Sequence, residues 1–161
     1  MEADDVIQLF KDVKISEGLE AIDKVSDKKA MALGLCEFAG TLNYLKGQAA
    51  LSEVLLKKAI LLDRGLALAH YNLGVLYSSP DYLESDESGV EKAVMSYRRA
   101  VSSDPHLNEA RYNLGLLYYF TGRVDGAKKQ YDAIVADVGD IVRYRLLGAL
   151  LLEDRRASEF S

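Results

Sequence analysis

Proline, cysteine and histidine are scarce in this chain: its 161 residues include 2 Pro, 1 Cys and 2 His. All-β and disordered chains need more breakers or less apolar content than the 49% hydrophobic residues present, so neither class fits. The single cysteine, Cys36, cannot build a disulfide framework and suits a reducing compartment. It cannot supply zinc-ligand spacing either, and His70 and His106 stand in no metal-binding motif. No apolar run reaches the roughly 18 residues of a membrane span. The Met1–Phe10 segment, with Asp4 and Asp5, lacks the basic start and apolar stretch of a signal peptide, so a cytoplasmic location is expected. Basic residues are outnumbered, 20 Lys and Arg against 25 Asp and Glu, giving a net charge of -5. That balance argues against a nucleic-acid partner. Phosphate-loop and nucleophile-elbow motifs are missing, and the carboxylates are scattered. The chain is therefore expected not to be an enzyme, with no catalytic residue, metal or cofactor assigned.

What is present is repetition. Tyr71-Asn72-Leu73-Gly74-Val75-Leu76-Tyr77 returns as Tyr112-Asn113-Leu114-Gly115-Leu116-Leu117-Tyr118, with only Val75 exchanged for Leu116. Downstream of each copy comes Ala-x-x-x-Tyr, as Ala93 with Tyr97 and Ala127 with Tyr131, and the first copy closes on Asp104-Pro105. Weaker copies fall in phase: Gly40 precedes Gly74 by 34 positions, and Gly148 follows Gly115 by 33. The gap from Gly74 to Gly115 is 41, one period with seven extra residues, which lie between Ser78 and Glu91. Leu73 and Tyr77 share one helix face, while Ala93, Tyr97 and Ala100 make a small-large-small stripe on the next helix. Such stripes let antiparallel helices nest, and Pro105 breaks the chain between pairs. Buried tyrosine hydroxyls need partners, so Tyr77 and Tyr118 are expected to hydrogen-bond within the stack.

These residues resemble the tetratricopeptide (TPR) repeat, which places an aromatic, Leu-Gly, Tyr, Ala, an aromatic and Pro over 34 residues. The match is strong over 67–138 and weaker over 33–66 and 141–153. The resemblance implies an all-α fold, a right-handed α-solenoid of antiparallel helix pairs with about four repeats plus a terminal helix. Its expected parts are a degenerate repeat or N-terminal cap at 4–30 and a repeat at 33–66. A repeat at 67–107 with an inter-helix insertion at 78–91 follows, then one at 108–140, a C-terminal helix at 141–154 and a tail at 155–161. In the first pair, Asp4 or Asp5 is expected to cap a helix running to about Lys14.

The resemblance also implies a role: TPR modules are mostly protein-interaction scaffolds or adaptors whose concave face, lined by the first helix of each pair, takes a peptide or partner helix. The positions that face this groove are Glu37, Phe38, Thr41, Tyr44 and Leu45 in one repeat, and Leu68, Tyr71, Asn72, Val75 and Ser78 in the next. The third repeat contributes Glu109, Tyr112, Asn113, Leu116, Tyr119 and Phe120. Asn72 and Asn113 occupy a place where several TPR proteins grip a peptide backbone; an amide can donate and accept at once, whatever the side chain beside it. Hydrogen bonding to a neighbouring helix or to water is the other reading of both, and the two stand equal. The cationic positions that would hold an acidic chaperone tail carry Tyr71, Val75, Val142 and Leu146 instead, so that specialisation is not expected.

Outside the groove, Ser79–Gly89 is acidic and reads as a solvated loop, since its spacing is not that of a calcium-binding loop. Arg98-Arg99 and Lys128-Lys129 fall on second helices, towards the convex face, where solvation is the simplest explanation. The leucine-rich 141–153 segment either docks flat on the preceding pair or leaves an apolar contact surface. Binding of a protein partner, as a peptide or amphipathic helix, is thus the first expectation. A self-associating homo-oligomer, or a non-catalytic subunit of a larger complex, is the alternative.

Overall fold

Asp27 starts the first regular hairpin: its Oδ1 accepts a hydrogen bond from the Ala30 N–H at 2.9 Å, satisfying an orphan donor of the opening turn. The helix it caps, α3, is the third of ten in a computed structural model describing residues 1–161. In chain order these are α1 (Ala3–Lys11), α2 (Ile15–Ala21), α3 (Lys28–Leu42), α4 (Ala49–Leu62) and α5 (Ala67–Tyr77). They continue as α6 (Pro80–Ser85), α7 (Gly89–Ser103), α8 (Asn108–Phe120), α9 (Val124–Val138) and α10 (Arg145–Glu159). Short 3-10 turns, Ile22–Lys24 and Val142–Tyr144, extend α2 and lead into α10. The chain is all-helical without a strand, and α3/α4, α5/α7 and α8/α9 pack as adjacent pairs, a TPR-like helical solenoid. None of the helices is long and apolar enough to cross a membrane.

Alanines make the close contacts within each pair. Ala39 and Ala59 in α3 and α4, Ala69, Ala93 and Ala100 in α5 and α7, and Ala110 and Ala127 in α8 and α9 are all fully buried. Large neighbours fill the remaining space: Leu35, Leu55, Leu56, Leu76, Tyr97, Leu114 and Ile134. Each fully buried aliphatic side chain contributes about 1.5–3 kcal/mol, so a few such residues per pair hold each hairpin together.

A buried polar lock adds register to α3 and α4. Ser52 Oγ donates to Ala39 O at 3.1 Å and lies 2.5 Å from Asn43 Oδ1. Asn43 Nδ2 donates onward to Asn72 O at 2.9 Å, tying the hairpin to α5 of the next pair.

Several ends differ from the sequence reading. Asp5 does not cap α1; it sits in the first turn, where its Oδ2 accepts from the Glu2 N–H at 3.0 Å. The helix stops at Lys11 rather than near Lys14, because exposed Val13 takes a left-handed φ of 63°. Its neighbour's N–H, on Lys14, is satisfied by Leu9 O at 2.9 Å. The insertion is not wholly a loop. Ser79 caps α6, with Pro80 at its first position, and the Lys92 ammonium reaches back to Tyr82 Oη at 3.0 Å and Asp86 Oδ2 at 2.6 Å. The last helix begins later and ends later than expected: α10 runs through Glu159, so most of the segment read as a tail at 155–161 is helical. An Arg155–Glu159 pair one turn apart, at 3.1 Å, supports that extension.

Candidate partner-binding groove

The groove forms where the two near-identical heptads of α5 and α8 lie side by side over α7. A cavity of about 410 Å³ is lined by Tyr44, Tyr71, Val75, Ser78, Tyr97, Asn113, Leu116, Leu117 and Phe120. Tyr44 comes from the turn after α3, Tyr71, Val75 and Ser78 from α5 and its end, Tyr97 from α7, and the rest from α8. None of these nine is charged. Tyr44 and Phe120 stand open to solvent, at 81% and 71% exposure, as rims around a half-buried interior.

Tyr97 is the floor. It is 2% exposed, yet its ring passes under α5 because Gly74 has no side chain there; a Cβ on Gly74 would lie 2.5 Å from the Tyr97 ring. The Tyr97 ring centroid is 5.9 Å from that of Tyr71, and the planes are tilted by 53°. Its hydroxyl accepts from Asn113 Nδ2 at 3.3 Å and meets Ser78 Oγ at 3.4 Å. Burial pushes the phenol up to about 12, with the Ser78 and Asn113 hydrogen bonds opposing that rise. Tyr71 is raised as well, mainly by burial. Both phenols are neutral at physiological pH, and the groove offers apolar faces with a few neutral hydrogen-bonding groups.

Seven residues singled out from the sequence therefore meet around one cavity: Tyr44, Tyr71, Val75, Ser78, Asn113, Leu116 and Phe120. The others lie elsewhere. Phe38 stacks on Phe10 at 6.1 Å, towards the N-terminal pair. Asn72 interlocks α5 with α3: its Nδ2 donates to Cys36 O at 3.2 Å and lies 3.5 Å from the Cys36 Sγ, above Gly40. Burial pushes the Cys36 thiol up to about 12, so it is a packing group in its protonated form. Glu109 pairs with Arg143 at 2.5 Å, and Tyr112 tilts against Tyr144 with ring centroids 5.4 Å apart; both meet the 3-10 turn that leads into α10. Tyr119 sits edge-on to Phe120, at 5.4 Å.

Tyr97 and Leu117 complete the lining without having been placed in the groove from the sequence. The signal for Tyr97 was the Ala-x-x-x-Tyr spacing with a glycine on the facing helix, which reads as core packing and is core packing; its hydroxyl emerges only because α5 is thin at Gly74. Of the two tyrosines expected to bond within the stack, Tyr77 does so, donating to Glu53 Oε1 at 2.9 Å. Tyr118 instead packs its ring on Gly126 and carries the Arg123 guanidinium 5.6 Å from its centroid.

Residues 109–135, most of the α8/α9 hairpin, match the family model described as Tetratricopeptide repeat. No curated protein matches the chain. A repeat of this kind supports a general role as a protein–protein interaction scaffold, on a fold that is typically non-catalytic. One stretch of the chain, residues 109–135, is thus similar to the tetratricopeptide repeat, in a stack of helix pairs that carries the α8 heptad a second time in α5.

Proposed function

We propose that the groove over Tyr97 binds an apolar segment of a protein partner. The observation that carries this reading is the uncharged lining of the 410 Å³ cavity, with rings and aliphatic side chains on both walls. Asn113 supplies the polar anchor: its amide faces the cavity, where it can meet a peptide unit regardless of sequence. Asn72, held within the stack by Cys36 O, is not needed for that contact.

Panning a random peptide display library on the chain tests this directly. Enriched peptides are expected to be rich in aromatic and aliphatic residues. Leu116→Glu, which places a charge in the apolar wall, should weaken them by at least about tenfold, roughly 1.4 kcal/mol. Asn113→Ala should weaken them less and across sequences. Peptides that bind Leu116→Glu as well as the parent, with helicity unchanged by circular dichroism, would defeat the proposal.

A second reading is self-association, favoured by the C-terminal end. Within α10 only Leu147 and Gly148 are buried, whereas Leu146 and Leu152 are 55% and 58% exposed and Val142, just before it, 74%. Docking of a second copy would cover them. Light scattering over rising concentration should then give a mass that climbs towards the dimer, and Leu146→Glu with Leu152→Glu should return it to the monomer. A monomer mass throughout would rule this reading out.

A further inference from the structure

The convex side of the stack carries a second groove, of opposite character. It lies between α7 and α9, over α8, and encloses about 520 Å³. Arg98, Arg111, Arg123 and Lys129 line it, and no carboxylate does, in a chain whose net charge is -5. Its base is apolar, formed by Val101, Leu114 and Tyr118. The lining continues along α7 into a smaller recess of about 210 Å³ that adds Arg99.

The cations differ in how they are held. Arg111 is oriented by neutral acceptors: Nε donates to Pro105 O at 2.9 Å and Nη1 to Gln130 Oε1 at 3.1 Å. The fork is thus fixed in place without a direct ion pair, although the Asp137 carboxylate lies near enough to feel its charge. Arg123 lies over the Tyr118 ring and pairs with Glu91 at the rim. Arg98 and Lys129 take part in none of the ion pairs of the chain, whereas Lys128, next to Lys129, is taken by Asp132 at 2.5 Å. The two basic pairs noticed in the sequence are therefore not equivalent along their length. Arg98 and Lys129 turn into one recess from opposite walls.

We propose that this convex groove is a docking site for an acidic, amphipathic peptide segment of a protein partner. Its carboxylates would meet Arg98, Arg111 and Lys129, and its apolar residues would rest on Val101, Leu114 and Tyr118. Charge complementarity selects the occupant: four cations gathered in a recess with no carboxylate in its lining favour anions, and the apolar base favours a segment that also carries aliphatic groups. A recess between two helices suits a protruding chain better than a flat lipid surface, which would reach only its rims. This site is separate from the groove over Tyr97 and does not depend on its function. Together the two faces would let one short stack hold two chemically different partners at once.

The test is fluorescence anisotropy with a labelled peptide of alternating glutamate and leucine, titrated with the full chain at low and at physiological salt. Saturable binding that weakens with salt is expected. Arg98→Glu combined with Lys129→Glu should weaken it by at least about tenfold, because two attractions become repulsions. Leu116→Glu, on the opposite face, should leave it unchanged. A phosphoserine-containing peptide and phosphatidylserine vesicles form the other arms. Tighter binding of the phosphopeptide with the same loss on charge reversal supports the site. The proposal is overturned by equal binding to the reversed variant, by no saturable binding to the parent at low salt, or by binding to vesicles alone. Unchanged helicity and melting of the reversed variant exclude misfolding as the cause of a loss.

Discussion

Tyr97→Ala is expected to remove about 3–5 kcal/mol of stability, the loss usual for a large buried aromatic. Set against a total of about 5–15 kcal/mol for an ordinary domain, that is a large share. The location makes the loss specific. Tyr97 belongs to α7, fills the notch at Gly74 in α5, and bonds Asn113 in α8, so it joins one helix pair to the next. Because a solenoid is stabilised by nearest-neighbour interfaces, removing this one should split urea unfolding into two stages, with the α8–α10 part lost first. Tyr97→Phe isolates the hydroxyl, whose contacts at 3.3 and 3.4 Å are long; its cost should fall near the low end of about 0.5–1.5 kcal/mol. A single sharp transition for Tyr97→Ala, at nearly the parental midpoint, would contradict the role given to this ring.

The two glycines of the repeated heptad should answer differently to the same substitution. Alanine at Gly74 places a Cβ 2.5, 2.6 and 2.7 Å from three atoms of the Tyr97 ring, a rigid and almost fully buried group. Overpacking of that kind costs about 1–3 kcal/mol. It outweighs the roughly 1 kcal/mol that alanine gains over glycine inside a helix. At Gly115 the one severe contact is with Leu147 Cδ2 at 2.5 Å, and the next nearest atom is at 3.5 Å. A terminal methyl can rotate away, and α10 is the last helix with few neighbours to resist a shift. Gly115→Ala is therefore expected within about 0.5 kcal/mol of the parent once the helix gain is included. Parallel thermal melts decide the matter; equal destabilisation at both positions would refute the difference.

That contrast also marks how far the sequence could be read. The heptads Tyr71–Tyr77 and Tyr112–Tyr118 were enough to recognise paired helices, because glycine, alanine and large residues at helical spacing can bury one another in few ways. They could not show which large residue fills which notch. Gly74 receives Tyr97 from its own pair, while Gly115 receives Leu147 from the following helix and Tyr131, the counterpart of Tyr97, packs over Gly148 instead. The partner of a notch depends on where a later helix settles, and spacing within one helix carries no record of it. The same holds for Asn72 and Asn113, identical in local sequence. Cys36 O lies within reach of the first, so it braces the stack, and Tyr97 Oη within reach of the second, so it lines the cavity. The insertion was visible as seven extra residues, but its short helix depends on Ser79, Pro80 and a tether to Lys92 that lies beyond it in the chain. The convex groove was hidden for another reason: it takes single members of two basic pairs and joins them to Arg111 and Arg123, which stand alone in the sequence.

The pairing of neighbours has a consequence for synthesis. The α3/α4 hairpin, with Ser52 already bonded to Ala39 O, contains its own fastening and needs nothing from α8 or α9 to form. Each later hairpin meets a finished surface as it leaves the ribosome, so the chain can be assembled in the order in which it is translated. Only one exposed end surface has to wait for the next pair at any moment. The stack grows the way a wall is laid, course upon course.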